Sequence, residues 1–346
     1  MKRKQITKGI LIVCAAIGVL CGIVFGLLRL RTKELPGQTV LAILPDTQLY
    51  AQFMPEIFDA QTQWIADHAE EEEIAFVLHV GDITNKAYIP MQWENASHAM
   101  SILDEKSIPY VTVTGNHDVD DEASKIDLDA YYDDLRIDRE LYPVYFSEKR
   151  FSEMDTFGGM SENGYNQYHF IPCGDGEIMV LALDWLPSEE TMNWVQTILN
   201  QHPHTPTIVV KHDFIRPRKD RSQPIVPANE ECAKQWDIFS QYDQIFMIIN
   251  GHYTGSDHGI LKNQFGNDVY VAVIDYQSKY HGGNGWMRLL TLDFAENTIN
   301  GVTFSPYVMT IPEEARTEDD IVYLDDEYNE FQFPFDLRTR FTDIWN

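Results

Sequence analysis

Val111-Thr112-Val113-Thr114-Gly115-Asn116-His117-Asp118 opens as a β-branched run, stops at a glycine, and continues with an amide, an imidazole and a carboxylate. β-Branched residues favour extended backbone, yet an apolar strand has no need of three polar side chains at its end. Two earlier apolar runs finish in the same way. Leu41-Ala42-Ile43-Leu44-Pro45 leads into Asp46-Thr47-Gln48, and Phe76-Val77-Leu78-His79-Val80 leads into Gly81-Asp82. Helical spacing separates them. Pro55 sits at a helix start with Ile57, Ala60, Trp64 and Ile65 on one face, and Trp93, Ala96, Met100 and Leu103 share a face over residues 91–106. Strand, helix, strand, helix, strand is an α/β crossover pattern whose parallel strands point their carboxyl ends the same way. Such sheets hold their chemistry at that rim, so Asp46, Asp82 and Asn116 are expected on one edge.

Further along, Ile178–Leu183 reads as a buried strand ending at Asp184-Trp185, and Ser188 opens a helix to Leu199. Thr207–Val210 runs directly into Lys211-His212-Asp213. After a helix over 228–241, Gln244–Ile249 runs into Asn250-Gly251-His252. Val269–Ile274 and Trp286–Leu292 read as strands around the turn Gly282-Gly283-Asn284-Gly285. Between Asp118 and about Gly176 the periodicity loosens into an excursion over the rim, read as a substrate-shaping cap. Residues 311–346 are acidic and aromatic without clear period, and are either a tail wrapped on the domain or a partly disordered extension.

With 346 residues and 44% hydrophobic content, the chain can bury a sizeable core. Lys2, Arg3, Lys4 and Lys8 precede about twenty uncharged residues, Gly9 to Leu28, enough for a hydrocarbon core of roughly 30 Å. Residues 1–33 are therefore expected to be a cytoplasmic stub and single-pass anchor. The lipid bilayer would then be a partner, and residues 34–310 would form an extracytoplasmic domain. That segment holds seven of the 26 basic residues and no acid, so 19 bases face 54 acids in the remainder. An excess of that sign repels phosphate backbones and excludes duplex nucleic acid as an expected partner. Cys14 and Cys21 lie in the apolar segment, leaving Cys173 and Cys232 as the one pair that could form a disulfide.

Five strand ends thus carry candidate metal ligands: Asp46 with Gln48, Asp82, Asn116 with His117, His212, and His252. Each alone reads as an ordinary turn or a structural histidine; their recurrence in order after apolar strands argues for a shared centre. Two divalent ions about 3.5–4 Å apart need anionic ligands between them, and Asp82, after a glycine, suits the bridging place. Asp46 and Gln48 alternate along the chain and can face one ion. Mixed oxygen and nitrogen ligation suits Mn, Fe, Zn or Ni better than Ca or Mg.

With Asp46-Thr47-Gln48, Gly81-Asp82, Gly115-Asn116-His117-Asp118, His212 and Gly251-His252, residues 39–305 resemble the calcineurin-like metallophosphoesterase superfamily. The Asp-Thr-Gln form of the first motif looks like that of an exported subgroup. The resemblance implies an α/β fold, two packed mixed sheets flanked by helices as a four-layer sandwich, with two divalent transition-metal ions at the strand ends. It implies that Asp46 and Gln48 bind the first ion, Asp82 bridges, and Asn116, His212 and His252 bind the second. His117 would face the leaving oxygen of a phosphomonoester or phosphodiester, attacked by a metal-activated hydroxide.

Two departures stand out. Gln48 occupies a place usually held by histidine, and the usual final Gly-His-x-His has Thr254 in its last position, so the first ion is expected to be weakly held. His258 is a conceivable substitute. Asp118 is expected to tie down its loop. Tyr276-Gln277, the glycine turn and Arg288 also look like the Gln-type subgroup, with Gln277 as a substrate-side wall. The basic cluster Arg216, Arg218, Lys219 and Arg221 could hold a phosphate group, Arg216 foremost. The rival expectation is a non-catalytic metal- or ligand-binding module on the same scaffold.

Overall fold

A computed structural model describes residues 37–119 and 141–345. Strand β1 (Gln38–Leu44) is buried at every position but the first. It lies mid-sheet, parallel to β2 (Ile74–His79) and antiparallel to β11 (Met287–Asp293). A strand covered on both faces reads as a continuous apolar run, which is why Leu41–Leu44 shows no alternation.

The first sheet has the order β13-β12-β11-β1-β2-β3, with β14 also pairing β12. Its other strands are β3 (Tyr110–Thr112), β12 (Thr298–Phe304), β13 (Tyr323–Leu324) and β14 (Glu330–Pro334). The second sheet runs β4-β5-β6-β7-β8-β10-β9. Its strands are β4 (Phe157–Met160), β5 (Gln167–Cys173), β6 (Gly176–Ala182), β7 (Thr207–Val210), β8 (Ile245–Asn250), β9 (Gly255–Lys262) and β10 (Asp268–Asp275). Both sheets mix parallel and antiparallel pairs.

Between the sheets, Leu41, Ile43, Phe76 and Leu78 meet Ile178, Val180, Ile208 and Ile249. Helices cover the outer faces. α1 (Gln48–Phe53), α2 (Pro55–His68) and α3 (Pro90–Glu105) lay Phe58, Ile65, Trp93 and Met100 on the first sheet. Farther along come the short α4 (Tyr142–Tyr145) and α5 (Glu148–Phe151), then α6 (Glu189–Gln201) and α7 (Glu230–Phe239). The last two pack Val195, Leu199 and Phe239 on the second sheet. Each such side chain, fully buried, contributes about 1.5–3 kcal/mol, so three apolar layers account for stability without cross-links. Ser188 and Asn229 cap α6 and α7, accepting from the backbone N–H of Thr191 and Cys232. The result is the expected sandwich of two mixed sheets flanked by helices.

Several local expectations are corrected. β3 ends at Thr112, so Val113 and Thr114 already belong to the loop. The excursion after Asp118 does not simply cap the rim: β5 pairs with β6 along its full length and extends the second sheet, while residues 120–140 lie outside the described residues. The carboxyl-terminal stretch is wrapped on the domain, because β13 and β14 pair with β12 and Phe335, Leu337 and Phe341 enter the core. Cys173 and Cys232 are free thiols buried in different apolar layers. Burial pushes them up, to about 11 and about 12, so both stay protonated.

The membrane expectation is also corrected. Among the described residues no helix is long and apolar enough to cross a membrane; the longest, α3, has 16 residues and an amphipathic face, where roughly 20 apolar residues are needed. The single-pass, extracytoplasmic placement and the bilayer as partner are withdrawn on that finding. Residues 1–33, on which they rested, lie outside the described residues.

Candidate metal centre

The site lies where the carboxyl ends of β1, β2, β3, β7 and β8 from both sheets meet. Two glycines make the approach possible. A Cβ on Gly115 would fall 2.1 Å from Asp82 Oδ1, and one on Gly251 2.2 Å from Asp46 Oδ1, so no side chain fits at either place. Asp82 and His252 themselves adopt positive φ, 49° and 70°. Non-glycine residues held there are strained, and such strain gathers at functional sites.

Asp82, His212 and His252 bring ligand atoms within 4.8 Å of one another. His212 Nδ1 donates to the Val80 carbonyl over 2.8 Å, which leaves Nε2 as the coordinating nitrogen of the neutral ring. That Nε2 is 3.2 Å from Asp82 Oδ1 and 3.2 Å from Asn116 Oδ1. In the neutral ring that nitrogen is an acceptor facing two oxygen acceptors, so a proton or a cation is required between them. Asp82 Oδ2 and Gln48 Oε1 are buried and have no hydrogen-bond partner. The donor set therefore fits at least one divalent ion.

Electrostatics agree. Burial raises Asp46 well above the usual carboxylate range, helped by Asp275 and Asp82. Burial acts upward on Asp82 too, but the facing His212 outweighs it and holds Asp82 below that range. Burial opposes charge on His212, yet the Asp82 carboxylate raises it. A bound cation would take the place of that proton. Burial, then His212, brings His252 down to about 4, leaving a neutral imidazole suited to ligation.

Asp46 accepts from the backbone N–H of His252 at 3.2 Å and from Gln277 Nε2 at 3.0 Å. The same Gln277 amide donates to Asp275 at 3.0 Å and accepts from Gln48 Nε2. Gln277, expected as a substrate wall, thus ties together Asp46, Gln48 and Asp275. His117 donates its backbone N–H to Asp82 at 3.0 Å, and its Nδ1 donates to the Asn85 carbonyl at 3.1 Å, leaving Nε2 free. Asp118 accepts from the backbone of Ile83, Thr84 and Gly115 at 2.7–2.9 Å; it ties the loop as expected.

Thr254 is exposed. His258 is stacked on Phe331 at 4.0 Å and buried in the sheet layer, which rules out the substitute role. Arg216 donates to the Ala228 carbonyl and lies 4.7 Å over Tyr253, whereas Arg218 and Arg221 face Asp257. The basic cluster therefore does not converge on the metal ligands as a unit. Two residues were missed. Asp275 ends β10 as Asp46 and Asp82 follow β1 and β2, but the expected strand stopped at Ile274. Trp185, after β6, packs its ring 5.4 Å from His212 and 5.0 Å from His252. Both carried the same strand-end signal as the ligands.

Comparison with known proteins agrees with this geometry. The chain is 30% identical over 310 residues to the uncharacterized protein YvnB of Bacillus subtilis, covering 86% of this chain and 22% of that one. It therefore spans about a fifth of that relative's length. A purple acid phosphatase from yellow lupin superposes with a TM-score of 0.52 at 15% identity, covering 91% of this chain and 56% of that one. A dimetal phosphatase from Danio rerio gives 0.50 at 12% identity, over 78% and 97%. At such identities the likeness is of fold alone. The family model for calcineurin-like phosphoesterases matches residues 39–254, the stretch from β1 past His252 that carries the converging ligands. The chain belongs to the calcineurin-like phosphoesterase family.

Proposed function

We propose that the protein hydrolyses phosphomonoesters or phosphodiesters with two divalent transition-metal ions, Mn, Fe, Zn or Ni. The observation that carries this is the unpartnered, buried Oδ2 of Asp82 beside His212 and His252. Asp82 would be shared between the ions, with Asn116, His212 and His252 on the second and Asp46 and Gln48 on the first. The ions, when bound, would lower the pKa of a coordinated water toward about 7 and offset charge on the phosphoryl oxygens.

The chain's own residues supply orientation and proton transfer. With Nδ1 committed to the Asn85 carbonyl, His117 would present Nε2 to the leaving oxygen and, when protonated, give it that proton. Trp185 would wall the second site and exclude water from it. Gln277 would hold Asp46 and Gln48 in register, so the amide form of the first motif would leave a first ion held by carboxylates and an amide with no imidazole.

Hydrolysis of an aryl phosphate and of its bis-aryl diester, with Mn added, tests the reading. Turnover of either that is lost in Asp82→Ala supports it. No turnover of both, with metal shown to be bound, would favour a binding module.

A further inference from the structure

Arg288 of β11 is fully buried, and its pairing with Ile43 of β1 turns it into the layer between the sheets. Its Nε donates to Thr303 Oγ1 at 2.9 Å. Its Nη2 reaches Ser256 Oγ at 2.9 Å, the Tyr276 hydroxyl at 2.9 Å, the Tyr328 carbonyl at 3.0 Å and Asn329 Oδ1 at 2.8 Å. Every one of these acceptors is neutral, and Nη1 has none. Among the described residues no carboxylate pairs with Arg288. A guanidinium cannot shed its charge, and an unpaired buried charge is strongly destabilising.

The neighbourhood adds positive charge. Arg218 holds Asp257 through two hydrogen bonds at 2.8 and 2.9 Å, and Arg221 stands 3.5 Å from the same carboxylate. Arg221 lies 3.4 Å over the ring of Tyr328, the residue whose carbonyl accepts from Arg288. Two guanidinium groups thus share one carboxylate, and Arg288 has none, in a chain whose net charge is −28. Arg221 Nε and Nη2, His258 Nδ1 and the Tyr270 hydroxyl are buried without hydrogen-bond partners. His258 and Tyr270 stack at 5.9 Å, and Arg288 and His258 share Phe331, at 5.5 and 4.0 Å. Burial, then Arg288 and Arg221, brings His258 down to about 4; it is a neutral donor in a positive surround.

We propose that Arg288, Arg221, His258 and Tyr270 form a binding site for a small inorganic anion, a halide or a phosphate-like oxyanion. It is separate from the metal centre. Tyr276 points its hydroxyl at Arg288, while its neighbours Asp275 and Gln277 face Asp46. The anion would supply the missing counter-charge and join the Tyr328–Asn329 segment to both sheets.

Diffraction from crystals of the full chain grown with bromide, and separately with phosphate, reads the site directly. The expected result is an anomalous bromide peak, or tetrahedral density, within hydrogen-bond distance of Arg288 Nη1. In solution at constant ionic strength, the same anion should raise Tm saturably, by about 5 °C at a hundredfold excess over Kd. Arg221→Gln, at the 27% exposed rim, should abolish that rise while sparing the fold. A response to bromide identifies a halide site; a response to phosphate alone identifies an oxyanion site. Water molecules in the density, or equal salt responses in wild type and Arg221→Gln, would overturn the proposal.

Discussion

The two halves of the proposed metal centre are built differently. On the side of Asn116, His212 and His252, the coordinating nitrogen of His212 is defined by a backbone carbonyl, and Trp185 packs against both imidazole rings. On the side of Asp46 and Gln48, a third residue engages both groups, although Gln48 Oε1 itself has no partner. Gln277 donates to Asp46 and accepts from Gln48, while Thr254 stands exposed. In the first arrangement Asp82 and Asn116 meet His212 at its Nε2, where a cation can take the place of a proton. In the second, the Asp46 carboxylate already accepts from His252 and Gln277, so an ion there must compete with those hydrogen bonds. The lesson is that a ligand set can be placed by the fold and still differ in readiness.

Substitutions can break that contrast. The largest effect is expected for Asp82→Asn, which touches both halves: metal analysis should find both ions lost and aryl phosphate turnover at background. Next comes His117→Ala, expected to lower kcat about 10²–10⁴-fold with metal content unchanged. A fall in bound metal instead would remove His117 from the leaving-group role and place it among the ligands. Gln277→Ala should weaken the first ion alone, by roughly 10–100-fold, the range for groups that orient ligands. Equal loss of both ions would erase the asymmetry. The smallest change is expected from Thr254→His. A modest gain in retention of the first ion would show that the missing imidazole is the cause, and no gain would assign the weakness to Gln48 and Gln277.

Much of this was legible in the residues themselves. Continuous apolar runs such as Leu41–Leu44 and Ile178–Leu183 announce strands covered on both faces, and the polar residues after them mark the rim. The missed strands carry weaker signals. β9 opens Gly255-Ser256-Asp257-His258, and its polar residues look like a loop until Arg218 and Arg288 are seen to engage them. β12 contains Asn300 and Gly301, and β14 alternates Phe331 and Phe333 with polar neighbours near a covered edge. Long-range partners decide such segments, and no local period reports them. The same holds for Gln277: its sequence neighbourhood says turn, and only the packing of β10 against the β1 rim brings its amide to Asp46. The membrane expectation rested on one terminal stretch and found no support in any described helix.

The difference in readiness between the two halves is tested most directly by counting bound metal. Protein loaded with excess Mn and then passed through a desalting column should keep close to one ion per chain, with the second restored only in excess Mn. The retained ion should be lost in His212→Ala and kept in Gln277→Ala. Two ions retained by the wild type, or loss of the retained ion in Gln277→Ala but not in His212→Ala, would contradict it.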